Sequence, residues 1–168
     1  PVEKPAKIDE PSSAYSRHKS AMAAKSRERS AAGRDIGEIP KVANPKRRAK
    51  ARESLQFFLK TYFPERFPLD WSPDHIKNIA KIEVAAKGGE GSGLFAVAMP
   101  RGSGKTTICE GAVIWVAVEG YSPYVALIGA SSDAASEMLE SVKSEFESND
   151  LLAEDYPEVC FPIRALEG

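Results

Sequence analysis

The stretch 95-FAVAMPRGSGKTTICEG-111 constrains the fold more than any other part of the chain. A short continuous apolar run, 94-LFAVAMP-100, meets a turn containing Gly102 and Gly104. The turn opens directly onto residues 105–119, apolar on most sides through Ile108, Cys109, Ala112, Val113, Trp115 and Val116. Such a run is what a strand buried on both faces shows, and a helix apolar nearly all round must be sandwiched. A second run, 124-YVALIGA-130, follows Gly120. Ser131-Ser132-Asp133 then opens an amphipathic helix with Met138, Leu139, Val142 and Phe146 inward and Glu137, Glu140, Lys143, Glu145 and Glu147 outward. Strand, loop, helix, strand, helix predicts an α/β fold with a parallel sheet and a right-handed crossover.

Upstream, the order of signals is helical. Asn44-Pro45 is a cap followed by proline at the first helical position, and Ala51, Leu55, Phe58, Leu59 and Tyr62 recur at helical spacing, so a helix is expected to run from there to just before Pro64. Ser72-Pro73-Asp74 is a second start signal, leading into Ile76, Ile79, Ala80 and Val84, and 88-GGEGSG-93 ends that helix. Residues 1–44 are rich in Ser, Ala, Lys and Arg and hold few large apolar residues, which predicts a disordered or conditionally helical arm. The net charge of −1 conceals an asymmetry: residues 1–52 carry 14 Lys and Arg against 6 Asp and Glu, and residues 53–168 carry 9 against 18. The chain divides into a basic arm, 1–44, and an acidic domain, 45–168.

A glycine-rich turn between a buried strand and a helix N-terminus supplies converging backbone N–H groups and the positive end of the helix dipole, which is what a phosphate requires. The common pattern G-x-x-x-x-G-K-[ST] reads M-P-R-G-S-G-K-T here, with Met99 where the first glycine would stand. Gly102, Ser103, Gly104, Lys105, Thr106 and Thr107 are the candidate phosphate-binding residues of a nucleotide such as ATP. Lys105 would reach the β- and γ-phosphates and Thr106 would ligate Mg²⁺. Arg101 reads equally as a solvated loop arginine or as a cation stabilising a γ-phosphate in the transition state. Trp71 and His75 precede the loop; they are placed to hold a base by stacking and hydrogen bonding, or else to close the core and start a helix.

Three segments, taken in order, carry a resemblance. The loop 99-MPRGSGKTT-107, the preceding 63-FPERFPLDWSPDH-75 and the following 125-VALIGASSDAASEMLESVKSEFE-147 resemble the ATPase domain of phage and prophage terminase large subunits, the motors that package viral DNA. The resemblance covers roughly residues 50–168. It implies a three-layer P-loop NTPase-type parallel sheet, incomplete in this chain, preceded by helices and the arm. It also implies ATP hydrolysis coupled to translocation of double-stranded DNA, with a small terminase subunit and a portal protein as partners, a homo-oligomer, and the host cytoplasm as location. By motif match, Gly104, Lys105 and Thr106 take the phosphate and Mg²⁺ roles and Arg101 that of the loop arginine. Another helicase-type DNA translocase, or a non-catalytic nucleotide- or DNA-binding module, is the alternative.

The remaining features narrow the reading. The acidic strand that polarises water in that family is expected beyond residue 168, and the chain reads as a fragment at both ends; 151-LLAED-155 is expected to be a loop, with Glu154 and Asp155 as loop acids. Cys109 and Cys160 lack metal-site spacing and read as reduced buried thiols. No apolar run approaches the roughly 18 residues of a membrane span. The cluster 46-KRRAK-50 reads as a solvated run, with DNA phosphates as the alternative partner.

Overall fold

The computed structural model describes residues 19–25, 37–88 and 94–167, and the chain separates into two units, Pro1–Glu38 and Ile39–Gly168. In the first unit residues 19–25 are helical, and the rest of the expected arm up to residue 36 lies outside the described residues. The second unit holds seven helices among its described residues: α1 (Pro45–Glu53), α2 (Leu55–Tyr62), α3 (Pro73–Ala86), α4 (Lys105–Glu119), α5 (Ser132–Ser148), α6 (Asp150–Asp155) and α7 (Pro157–Glu167).

The expected α/β sheet is overturned: among the described residues there is no strand. Residues 94–100 and 124–130 have no regular secondary structure, and neither donates to or accepts from the other in a backbone ladder. Most of their side chains are exposed, Phe95 and Val125 among them. Val97, Met99 and Leu127 are half-buried, whereas Leu94, Tyr124 and Ile128 are exposed. The apolar runs are therefore only partly covered, with Leu127 packed against the helical core. A run of apolar residues reports only that its side chains favour burial; a strand also needs a neighbour to pair its backbone, which is a property of the whole fold.

The helix starts follow local rules. Asn44 Oδ1 accepts from Arg47 N at 3.0 Å, Ser131 Oγ from Ala134 N at 3.2 Å and Asn149 Oδ1 from Leu152 N at 3.0 Å. The single helix expected from Pro45 to just before Pro64 is broken in two at Ser54, which leaves the helical region and caps a new start by accepting from Phe57 N at 3.3 Å. Glu83, from α3, accepts from Leu55 N at the same helix end. Residues 151–155, expected as a loop, are helical because Asn149 caps them.

The core is built on α2 and α4. Leu55, Phe58 and Leu59 of α2 and Trp115 of α4 have no exposed surface, and Trp115 Nε1 donates to Ala51 O at 2.9 Å. Gly111 leaves room for Leu59 of the facing helix: a β-carbon there would lie 2.3 Å from Leu59 Cδ2. Leu152 of α6, Cys160 of α7 and Tyr156 between them close the core. On α5, Val142 and Phe146 are buried as expected of its apolar side, but Leu139 is exposed.

Asp155, expected as a loop acid, is fully buried. It accepts from Arg47 Nε at 2.5 Å and Nη2 at 2.9 Å, from Tyr62 Oη at 2.7 Å and from Asn44 N at 3.1 Å. This carboxylate holds the Arg47 guanidinium firmly in its charged form and, after desolvation, helps push the Tyr62 hydroxyl upward from its ordinary value. Arg47 also pairs with Glu154, and Arg48 with Glu158, so both arginines of 46-KRRAK-50 are neutralised within the fold. Of the two cysteines only Cys160 is buried; Cys109 is exposed, contrary to expectation.

Candidate functional site

The loop between residue 99 and α4 has the local geometry that its glycines foretell. Gly102 (φ 82°) and Gly104 (φ 74°) both occupy the left-handed region, which a side chain disfavours. Ser103 N donates to Pro100 O at 3.3 Å, closing the turn, and Ile108 N to Gly104 O at 2.9 Å, starting the helix. Gly104 is the N-cap and offers no side chain. The N-termini of α1, α2, α3, α5 and α6 are each capped by a side-chain acceptor, whereas that of α4 has none. The first-turn amides of α4 are therefore left to an acceptor from elsewhere, at the positive end of a 15-residue helix.

Lys105 folds back over this turn. Its Nζ donates to Met99 O and Pro100 O, each at 2.8 Å, and stands 3.5 Å from Ser103 Oγ. The ammonium is held by two neutral carbonyls, partners that a phosphate would outcompete by charge. Arg101 is exposed and enters no ion pair among the described residues. Thr106 is exposed on the first turn and Thr107 half-buried.

A cleft of about 210 Å³ opens beside the loop, walled by Gly102, Ser103 and Gly104 on one side and by Phe67, Trp71 and His75 on the other. A second groove, of about 320 Å³, is lined by Met99, Lys105, Thr106 and Cys109 among others, and shares Ile108 with the first. The sequence-predicted residues are thus divided: Trp71 and Gly102–Gly104 share one cavity, while Lys105 and Thr106 line the other.

Trp71 packs on Phe67, with ring centroids 5.1 Å apart, and its Nε1 is buried without a hydrogen-bond partner. An unsatisfied buried donor is costly, and a ligand acceptor in the cleft is one way to satisfy it. His75 has definite partners. Its Nδ1 lies 2.8 Å from Ser72 Oγ and accepts from Ser72 N at 3.3 Å, forming a capping box, and its Nε2 lies 2.9 Å from Ser103 O. Because a carbonyl only accepts, Nε2 carries the proton and donates to it.

One wall residue, Arg66, and one residue that braces the wall, Lys60, went unmarked in the sequence. Lys60 donates to Phe67 O at 3.0 Å and to Leu69 O, and its ammonium sits 5.4 Å from the Trp71 ring centroid. Arg66 lines the same cleft and is held by Glu110 of α4 at 3.1 Å and Glu145 of α5 at 2.6 Å. The one local signal was a lysine inside the apolar helix LQFFLKTY.

Among the described residues no group of three His, Cys, Asp or Glu side chains is placed to hold a metal ion, and no helix is long and apolar enough to cross a membrane. No family model, no curated protein and no solved structure matches the chain.

Proposed function

We propose that this chain binds a nucleoside triphosphate through the Gly102–Thr107 loop, as the ATP-binding part of a DNA-packaging motor of the terminase large-subunit type. The observation that carries the reading is the uncapped N-terminus of α4, preceded by two left-handed glycines and overlaid by the Lys105 ammonium. Backbone amides and a helix dipole at such a place favour an anion. The amides of the first turn would donate to phosphate oxygens, and Lys105 would leave Met99 O and Pro100 O for the β- and γ-phosphates. The base end would lie in the cleft by Trp71, whose unsatisfied Nε1 can donate to a ring acceptor.

The residues fit ATP better than they fit a free metal ion. Mg²⁺ would be held through the phosphates, with the Thr106 hydroxyl as the protein's ligand, and when bound it would neutralise charge on the triphosphate. Arg101, exposed beside the loop, is the cation available to a γ-phosphate. The proposal of double-stranded DNA, a small terminase subunit and a portal protein as partners rests on the three resembling segments. With Arg47 and Arg48 held by internal acids, the exposed cations of that basic run are Lys46 and Lys50.

The test is calorimetric titration of Mg·ATP into the wild-type chain and into Lys105→Ala. The wild type is expected to bind and the variant to bind at least about tenfold more weakly, one charge-assisted phosphate contact having been lost. Equal binding by the two proteins rejects the reading.

A further inference from the structure

We infer that His75 is a positioning residue for the glycine loop, fixing through Nε2 the direction in which the Gly104 amide meets a bound phosphate. The inference rests on the proposal that the loop is a phosphate site, and it concerns a residue that the motif does not contain.

The loop is weakly determined by itself. Two glycines in the left-handed region have wide conformational freedom, and the internal bond from Ser103 N to Pro100 O is long, at 3.3 Å. The contacts of Lys105, at the start of α4, with Met99 O, Pro100 O and Ser103 Oγ are those its ammonium would leave for a phosphate, so they do not hold the loop once the anion is bound. Apart from α4, into which the loop runs, the hydrogen bond from His75 Nε2 to Ser103 O, at 2.9 Å, is among the described residues the one that reaches the 100–104 backbone from another element.

That bond has a directional consequence. A trans peptide is planar, with its C=O and N–H pointing to opposite sides, so holding Ser103 O toward His75 turns the Gly104 N–H away from it. One imidazole thereby sets the orientation of a donor that an anion would meet. The imidazole is itself well anchored. Its Nδ1 is engaged by Ser72 in the capping box, and α3 is held against the core by buried Ile79 and by Glu83, which accepts from Leu55 N. His75 therefore ties the loop to the rigid body of α3.

Mg·ATP affinity of the wild type, Lys105→Ala, His75→Phe, His75→Asn and His75→Gln tests this. Gln places an amide donor about where Nε2 lies, whereas Asn can keep an acceptor for Ser72 N but is too short to reach Ser103. The expected result is about a fivefold loss for Phe and for Asn, the scale of one net hydrogen bond, and affinity within about twofold of wild type for Gln. The Asn variant retains the helix cap, so its loss cannot be assigned to a damaged α3 even if Phe fails to fold. Wild-type affinity in Asn, or the same loss in Gln as in Asn, overturns the inference while a weakened Lys105→Ala leaves the phosphate-site reading standing. Unchanged binding by Lys105→Ala removes both.

Discussion

Replacing Asp155 with alanine is expected to destabilise the Ile39–Gly168 unit by about 3 kcal/mol. The carboxylate is fully buried and accepts four hydrogen bonds, two from Arg47 and one each from Tyr62 and Asn44 N. Breaking a buried pair from one side costs about 3–5 kcal/mol, because the remaining charge is left uncompensated. The lower figure applies here because the Arg47 side chain is 22% exposed and keeps Glu154 at 3.1 Å. Most of the loss then comes from the Tyr62 hydroxyl, left without an acceptor inside the core, and from the freed Asn44 amide. For a unit of this size, about 3 kcal/mol corresponds to a fall in Tm of roughly 10 °C. Urea unfolding followed by far-UV circular dichroism measures it, with Glu154→Ala as control. The Glu154 side chain is 55% exposed, so its loss should cost under about 1 kcal/mol. A loss below about 1 kcal/mol for Asp155→Ala, or equal losses for the two variants, would refute the assignment of Asp155 as the tie between α1, α2 and α6.

Further outcomes follow from single contacts. Gly111→Ala forces a β-carbon to within 2.3 Å of Leu59 Cδ2, in a side chain with no exposed surface, and should cost about 1–3 kcal/mol in the same urea assay. Lys60→Met removes two carbonyl contacts and the cation beside Trp71; tryptophan emission should shift to the red as Trp71 hydrates, while fully buried Trp115 supplies a constant background. Burial pushes the Cys160 thiol from its ordinary value of 9.0 up to about 11. The folded state then holds its proton where the unfolded state has lost it, so stability is full below about pH 9 and falls between about pH 9 and 11. Cys160→Ala should flatten that part of the stability–pH curve, and an unchanged slope would refute the assignment to Cys160 and leave the loss to Cys109, Tyr62, Tyr121 and Tyr156, which are shifted in the same direction.

The elements that were legible in the sequence are those set by neighbours in the chain. Asn44, Ser72, Ser131 and Gly104 start helices where a side-chain cap, a following proline or a glycine turn says they should. Trp115 is buried because its helix is apolar nearly all round. What was not legible depends on partners far away. Residues 94–100 and 124–130 have the composition of strands, but pairing is decided by the rest of the fold, and here neither is paired as a strand among the described residues. Asp155 looked like a loop acid because Arg47 and Tyr62 lie 108 and 93 positions away in sequence. The candidate site divides in the same way: the glycines and Lys105 announce themselves, whereas the bond from His75 to Ser103 spans 28 positions between two segments with no shared pattern.

The central claim, that the Gly102–Thr107 loop receives a triphosphate, is tested most directly by backbone amide resonances of the isotopically labelled chain during titration with Mg·ATP. The largest shifts are expected at Gly102, Ser103, Gly104, Lys105, Thr106 and Thr107, with the Trp71 indole N–H following at the same concentration. Saturable binding that leaves those amides in place and moves others instead would contradict the account.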